Sequence, residues 1–412
     1  MPGLSPSDIL VTRARVRAVA AISLAMTILG VLALFATAHG TIDALGRPIG
    51  TDFSNVWSAG WMADHGRAAQ AWDWSAQHAV QQAIHGDPNT PFYGWHYPPP
   101  FLLIATALAQ LPYVAALLLW QGTTLAMALL LVRRILPENR DAMLAALGAP
   151  VVLICLGHGQ NAFLTASLLG GGMLMIDRRP WIAGALLGAL VYKPQFAVLI
   201  PLLILARGSW RAFLSAGATA GGLCLLTLGI WGWPVWQAFL ESLPLTRHIV
   251  IEAGNTGWEK IPSAFSAVRL WGGPIPVAYA AQSVVALCAV ATAAIVARRG
   301  SIELLGAAAL SAALLCTPYV LDYDFVALGV AVVFLFADGA RRGWLRWEPS
   351  WLAYAWIAPL VGRAGTAFTH VPLNLIGAIA ILYLAARRAA LFDGAFVLPA
   401  LRPSLLRTLA TR

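Results

Sequence analysis

The sequence predicts an all-α polytopic integral membrane protein, and three observations carry that prediction. Runs of roughly 20 apolar residues recur from end to end, the length that crosses about 30 Å of hydrocarbon. Only 11% of the 412 residues are charged and 59% are hydrophobic, with a mean hydropathy of +0.72, whereas about a quarter of a soluble domain is charged. The arginines fall mostly in short joints between the apolar runs: Arg133-Arg134, Arg178-Arg179, Arg207 and Arg211, Arg298-Arg299, Arg341-Arg342, Arg387-Arg388. That is the pattern of loops held on the cytoplasmic face. A transmembrane barrel would show short alternating segments instead.

The net charge of +9 does not point to nucleic acid, because the basic residues are spread over those joints and form no patch. Lys193 and Lys260 are the only lysines. Cys155, Cys224, Cys288 and Cys316 sit in apolar runs without metal-ligand spacing and read as small buried hydrophobes. Arg13, Arg15 and Arg17 before 18–38 resemble the start of a signal peptide. The apolar run is long for one, so an uncleaved first span is expected.

Keeping the arginine joints inside gives about twelve spans with both termini cytoplasmic, in a single transmembrane domain over 1–412. The spans are expected at 18–38, 113–132, 142–157, 161–176, two short ones within 181–206, then 212–231, 273–296, 302–317, 322–337, 349–362 and 371–386. Two long segments, 39–112 and 232–272, lie outside. "VYKPQF" breaks the 181–206 stretch at Pro194, and such breaks are tolerated in a membrane only where they line a cavity or are buried in protein. "HYPPPFLL" (96–103) cannot be helix interior, but its prolines can launch a helix. The apolar stretch after it is too short to cross, so 100–111 is expected as an external interface helix beside Tyr93, Trp95 and Tyr97.

Polar groups near hydrocarbon are site candidates by default. Asp52 in "TDFSNVWSAG" either caps a short helix reaching Met62 or serves as a catalytic base. Lys193, alone at a helix break, either snorkels to the interface or faces an anion at membrane depth. His158, Gln160 and Asn161 form a polar hairpin tip, His96 and Tyr97 precede the prolines, and Arg247 and Lys260 lie on the 232–272 segment. These are the candidates for a phosphate contact or a cavity wall. Asp322 and Asp324 are secondary acidic candidates, Asp324 also being placed to cap the next span. The spacing assigns no metal ligands, although these two acids with a histidine leave a divalent metal open.

Five stretches occur in order: "TDFSNVW" (51–57), "WHYPPPF" (95–101), "LGHGQNAFL" (156–164), "AGALLGALVYKPQFAVLIPLL" (183–203) and "TPYVLDYDF" (317–325). Together they resemble the polyprenyl-phosphate-mannose-dependent mannosyltransferases of glycosyltransferase family 87, within the GT-C superfamily, over roughly 15–390. The resemblance implies a GT-C fold with a juxtamembrane helix beside the active site, and Asp52 as the catalytic aspartate. It implies a hexose donor on a polyprenyl phosphate, mannose first, and a lipid-linked or glycan hydroxyl as acceptor. No cofactor beyond that donor and no nucleic acid are expected; membrane lipids are the surroundings, and the site faces the periplasm or exterior of the cytoplasmic membrane. Some relatives carry histidines in the turn matching 318–324, which holds none here, so the sugar and acceptor stay open. A base and cations suffice for direct displacement with inversion. The rival expectation is a secondary transporter for a lipid-linked or small polar substrate, since broken helices serve transporters too. The lack of an internal repeat speaks against it.

Overall fold

The computed structural model describes residues 11–137 and 139–394, and these are helical, with isolated bridges but no strands. Six helices are long and apolar enough to cross a membrane: Arg13–Ala36, Tyr113–Ile135, Trp210–Trp231, Ile275–Arg299, Asp322–Arg342 and Leu373–Asp393. The pair Arg140–Leu147 and Pro150–His158, bent by 46°, makes a seventh if it counts as one span. The 23 residues of Tyr113–Ile135 reach about 35 Å at 1.5 Å per residue. Helices also occupy the other stretches read as spans, but length and composition do not carry the count to twelve. Ala162–Met175 and Ile302–Leu315 have 14 residues each. Every residue of 304–315 is buried, so that helix is surrounded by protein and is not matched to the thickness of lipid.

The broken stretch is present. Pro180–Gly188 tightens into a 3₁₀ turn at Ala189–Tyr192, Lys193 leaves helical geometry at φ −134°, ψ 70°, and Pro194 starts the next short helix. The proline-led helix is also present, over Pro100–Ala109. It lies against the helix Phe53–Asp64 so closely that a Cβ on Gly60 would stand 2.0 Å from the carbonyl oxygen of Ala105. Only glycine permits that approach.

Four expectations need correction. The first helix starts at Arg13, with Thr12 capping it, so its three arginines belong to the helix and do not precede it. The segment 232–272 is not a plain loop: Trp233–Thr246 is a helix opened by Pro234, its Phe239 ring 6.0 Å from that of Trp72. An apolar face met by an aromatic partner explains it. The helix read as 349–362 runs over Glu348–Thr369, placing Arg363 inside it. Cys288 is exposed, on a helix whose outer face shows Val284 and Leu287.

The two ends of the bundle differ in chemistry. The arginine joints meet acids at one end. Arg207 donates to Asp177 at 2.9 Å and to the carbonyls of Ala297 and Gly300, and Arg341 reaches Glu303 at 2.8 Å. The turns read as external converge on a cavity at the other end.

Candidate active site

Asp52 stands directly before the helix Phe53–Asp64, yet its side chain makes no cap bond. The first amides are answered by backbone instead: Phe53 N–H by Gly50, Ser54 by Thr51 and Asn55 by the Asp52 carbonyl. The capping explanation of Asp52 therefore fails. Its carboxylate turns to the hairpin tip, where Gln160 Nε2 donates to Oδ2 at 2.8 Å and His158 Nδ1 stands 4.0 Å away. The two turns are locked together. Gly159, at φ +63°, sits where a Cβ would lie 2.6 Å from Phe53 Cβ and 2.9 Å from the Gly50 carbonyl.

The Gln160 amide is oriented by its neighbours. Its Oε1 accepts from the Tyr97 hydroxyl at 2.9 Å and from Asn161 N–H at 3.2 Å, which leaves Nε2 for Asp52. His158 Nδ1 shares a hydrogen bond with Thr51 Oγ1 at 2.9 Å. His96 Nδ1 meets Thr246 Oγ1 at 3.0 Å, tying the proline segment to the helix Trp233–Thr246. Burial pushes the His96 imidazole down to about 4.

Lys193 is 3% exposed and forms an ion pair with Asp324. Its ammonium also donates to Asn161 Oδ1 at 3.1 Å and lies 5.1 Å from the Phe196 ring centre. The snorkelling account fails, because the side chain ends in protein and not in water. Asp324 combines two roles: its other oxygen accepts from Leu321 N–H at 3.1 Å, closing the turn before the helix Val326–Arg342. Asp322 accepts from Tyr323 N–H at 2.9 Å and has Arg363 4.0 Å away.

These groups surround a cavity of about 340 Å³, within the usual range for a ligand site. Asp52, His96, Tyr97, His158, Gln160, Lys193, Lys260, Asp322 and Asp324 all line it. Asn161 supports Lys193 from behind the wall. Arg247 is a correction: its side chain is 64% exposed and turns to Glu252 at 3.3 Å, away from the cavity. The irregular turn at Arg247–Glu252 following the helix sends it outward.

Lys260 lines the cavity, and its ammonium makes no hydrogen bond or ion pair among the described residues. Burial lowers its pKa first, and the nearby Arg363 charge lowers it further. Arg363 escaped the sequence reading. A lone arginine between Gly362 and Ala364 in an apolar helix was the available signal. Among the described residues no group of three or more His, Cys, Asp or Glu side chains is placed to hold a metal.

The model of glycosyltransferase family 87 matches residues 95–321, more than half of the chain. The match takes in the proline-led helix, the hairpin tip and the Lys193-Pro194 break; Asp52, Asp322 and Asp324 lie outside it and rest on the geometry above. No curated protein and no solved structure matches the chain. The expectation of a transporter is set aside: the chain belongs to glycosyltransferase family 87 and is a multi-pass membrane glycosyltransferase.

Proposed function

We propose that this glycosyltransferase moves a hexose, mannose first, from a polyprenyl-phosphate carrier to a hydroxyl of a lipid-linked or glycan acceptor. The site faces the outer side of the cytoplasmic membrane, in a GT-C fold of about twelve spans with 100–111 at the interface. One observation carries the reading: the Asp52 carboxylate caps nothing and opens on the cavity, with Gln160 on one oxygen. A carboxylate so held can take a proton. The acceptor oxygen bonds to the anomeric carbon, the bond from that carbon to the phosphate oxygen breaks, and the acceptor proton passes to Asp52. Attack from the face opposite the leaving group inverts the anomeric centre.

The departing phosphate needs cations. Lys260 lines the cavity, and among the described residues its ammonium has no hydrogen bond or ion pair; Arg363 repels it, and Glu259, Asp322 and Asp52 attract it more weakly. Lys193 is already balanced by Asp324 and braces the cavity at the helix break. Purified protein is to be assayed with synthetic polyprenyl-phosphate mannose, glucose and galactose over a panel of acceptors. The expected outcome is transfer with an inverted linkage by NMR, and a raised donor KM in K260A. Retained configuration would remove direct displacement, and turnover with nucleotide sugars alone would remove the lipid donor.

A further inference from the structure

A second and larger cavity, about 1180 Å³, lies at the arginine end, away from the site above. Its walls come from the start of the helix Arg13–Ala36, the second half of Tyr113–Ile135, the bent pair Arg140–Leu147 and Pro150–His158, and the helices Val326–Arg342 and Glu348–Thr369. The 46° bend of the pair contributes one side of the groove. Along Tyr113–Ile135 the lining runs from Leu125 to Leu136, about 16 Å at 1.5 Å per residue. That is about half of the 30 Å hydrocarbon layer, the depth of one leaflet.

The chemistry of the groove is polarised. Val132, Val152, Val330, Phe336 and Ile357 make an apolar wall, and among the described residues the charged lining residues are Arg13, Arg15, Arg140 and Asp141, in the first turns of the helices Arg13–Ala36 and Arg140–Leu147. Asp141 is engaged by Arg13 and by Arg17 at 3.1 Å. Arg140 makes no ion pair among the described residues. Among the described residues, and leaving Arg15 aside, Arg13, Arg17 and Arg140 face the single acid Asp141, so the rim carries surplus positive charge above an apolar slot. The far end is lined by Phe163 and Val326, both nearly fully buried and each two residues past a member of the catalytic network, Asn161 and Asp324.

We propose that this groove binds an anionic glycerophospholipid of the leaflet at the arginine end, with its headgroup on the Arg13, Arg15 and Arg140 rim and its acyl chains in the apolar slot. Charge complementarity and one-leaflet depth both select that occupant. Basic residues at a membrane surface attract anionic lipid with roughly 1 kcal/mol each, and buried methylenes add about 0.8 kcal/mol apiece. The sugar donor is the wrong occupant, because its phosphate must reach Asp52 at the opposite end.

Gly329 provides the test, since it lines the groove and a Cβ there would meet no atom within 4 Å. The full chain in mild detergent is offered dioleoyl phosphatidylglycerol, dioleoyl phosphatidylcholine or undecaprenyl phosphate. Native mass spectrometry counts retained lipid, and the melting temperature is read in parallel. Wild type is expected to retain phosphatidylglycerol in preference to phosphatidylcholine and to melt higher with it. Arg140→Gln should cut that preference about fivefold, and Gly329→Phe should abolish retention of both phospholipids. Equal retention of the two phospholipids by wild type would overturn the proposal. So would an unchanged preference in R140Q, undiminished retention in a G329F that melts like wild type, or displacement of phosphatidylglycerol by undecaprenyl phosphate.

Discussion

Both ends of this bundle bury charge, and they use it differently. At the arginine end Arg388 is fully buried, with its Nε on Asp338 at 2.7 Å, a further bond to Glu348, and the Gly343 carbonyl at 2.8 Å. Each nitrogen of that guanidinium has an acceptor. At the cavity end Lys193 is comparably buried and paired, but the same cavity is lined by Asp52, with a single donor on its carboxylate among the described residues, and by Lys260, whose ammonium has no hydrogen bond or ion pair among them. An acceptor on every guanidinium nitrogen helps repay the desolvation of the buried arginine and yields a rigid joint, although Glu348 Oε1 is buried without a donor among the described residues. Incomplete pairing leaves charge available to a ligand. The difference sets a joint with every guanidinium nitrogen engaged apart from a cavity whose charges stay open to a ligand.

The largest effect expected from that contrast falls on D52N. Loss of a general base typically costs 10²–10⁴-fold in rate, and since the carboxylate caps nothing, the melting temperature should stay near wild type. Turnover with a defined polyprenyl-phosphate hexose, beside a melt in detergent, measures both. Near-wild-type turnover in folded D52N would end the assignment and pass the role to Asp322. R388M should behave in the opposite way. Breaking a buried ion cluster costs about 3–5 kcal/mol of stability, while the folded fraction keeps its donor KM. The triple variant R388M/D338L/E348L sharpens the point, because replacing buried ions by hydrophobes is often neutral or stabilising, and Arg341 and Arg342, which lose Asp338, keep Glu303 and Asp393. A triple variant that folds but loses turnover would show that the arginine end is not merely structural.

A smaller effect comes from pH. His85, at the end of the helix Trp74–His85, meets Thr41 Oγ1 at 2.8 Å and Ser54 Oγ at 2.8 Å through its two ring nitrogens. Burial pushes its pKa from 6.5 down to about 4. The unfolded chain therefore takes up a proton that the folded chain refuses. Stability is fully present above about pH 6.5 and is lost as pH falls through about 4. His96 acts in the same direction. Melts between pH 7.5 and 4.5 should fall in wild type and fall less in H85Q; parallel curves would remove His85 from the balance.

Much of the fold was legible because apolar run length and arginine placement report directly on solvent and lipid. The helices at Tyr113–Ile135 and Trp210–Trp231 begin or end within three residues of the stretches read from sequence. The helix Trp233–Thr246 was not legible, since the Trp72 contact that buries Phe239 comes from a distant segment. The cavity was legible as a list of polar residues but not as a set of partners. Lys193 and Asp324 are 131 residues apart, and no local pattern announces that one spends the other's charge. Nor could sequence decide whether Asp52 caps its helix, because that depends on backbone carbonyls at Gly50 and Thr51 taking the first amides.

The smallest expected effect sharpens the contrast most. An amide can present either its oxygen or its nitrogen to a neighbour, and only the nitrogen suits a carboxylate. In this protein the Tyr97 hydroxyl and Asn161 N–H both point at Gln160 Oε1, so Nε2 faces Asp52 and fixes one oxygen of a carboxylate that lines the cavity. Y97F removes one of the two bonds that set this orientation. A hydrogen bond contributes about 0.5–1.5 kcal/mol, so kcat should fall roughly twofold to tenfold, with the donor KM and melting temperature little changed. Tyr97 then acts on Asp52 through Gln160 and not on the substrate. Steady-state kinetics over donor concentration separates the alternatives. A raised KM with intact kcat would place the Tyr97 hydroxyl on the substrate, and an unchanged kcat and KM would mean that Asn161 alone holds the amide in place.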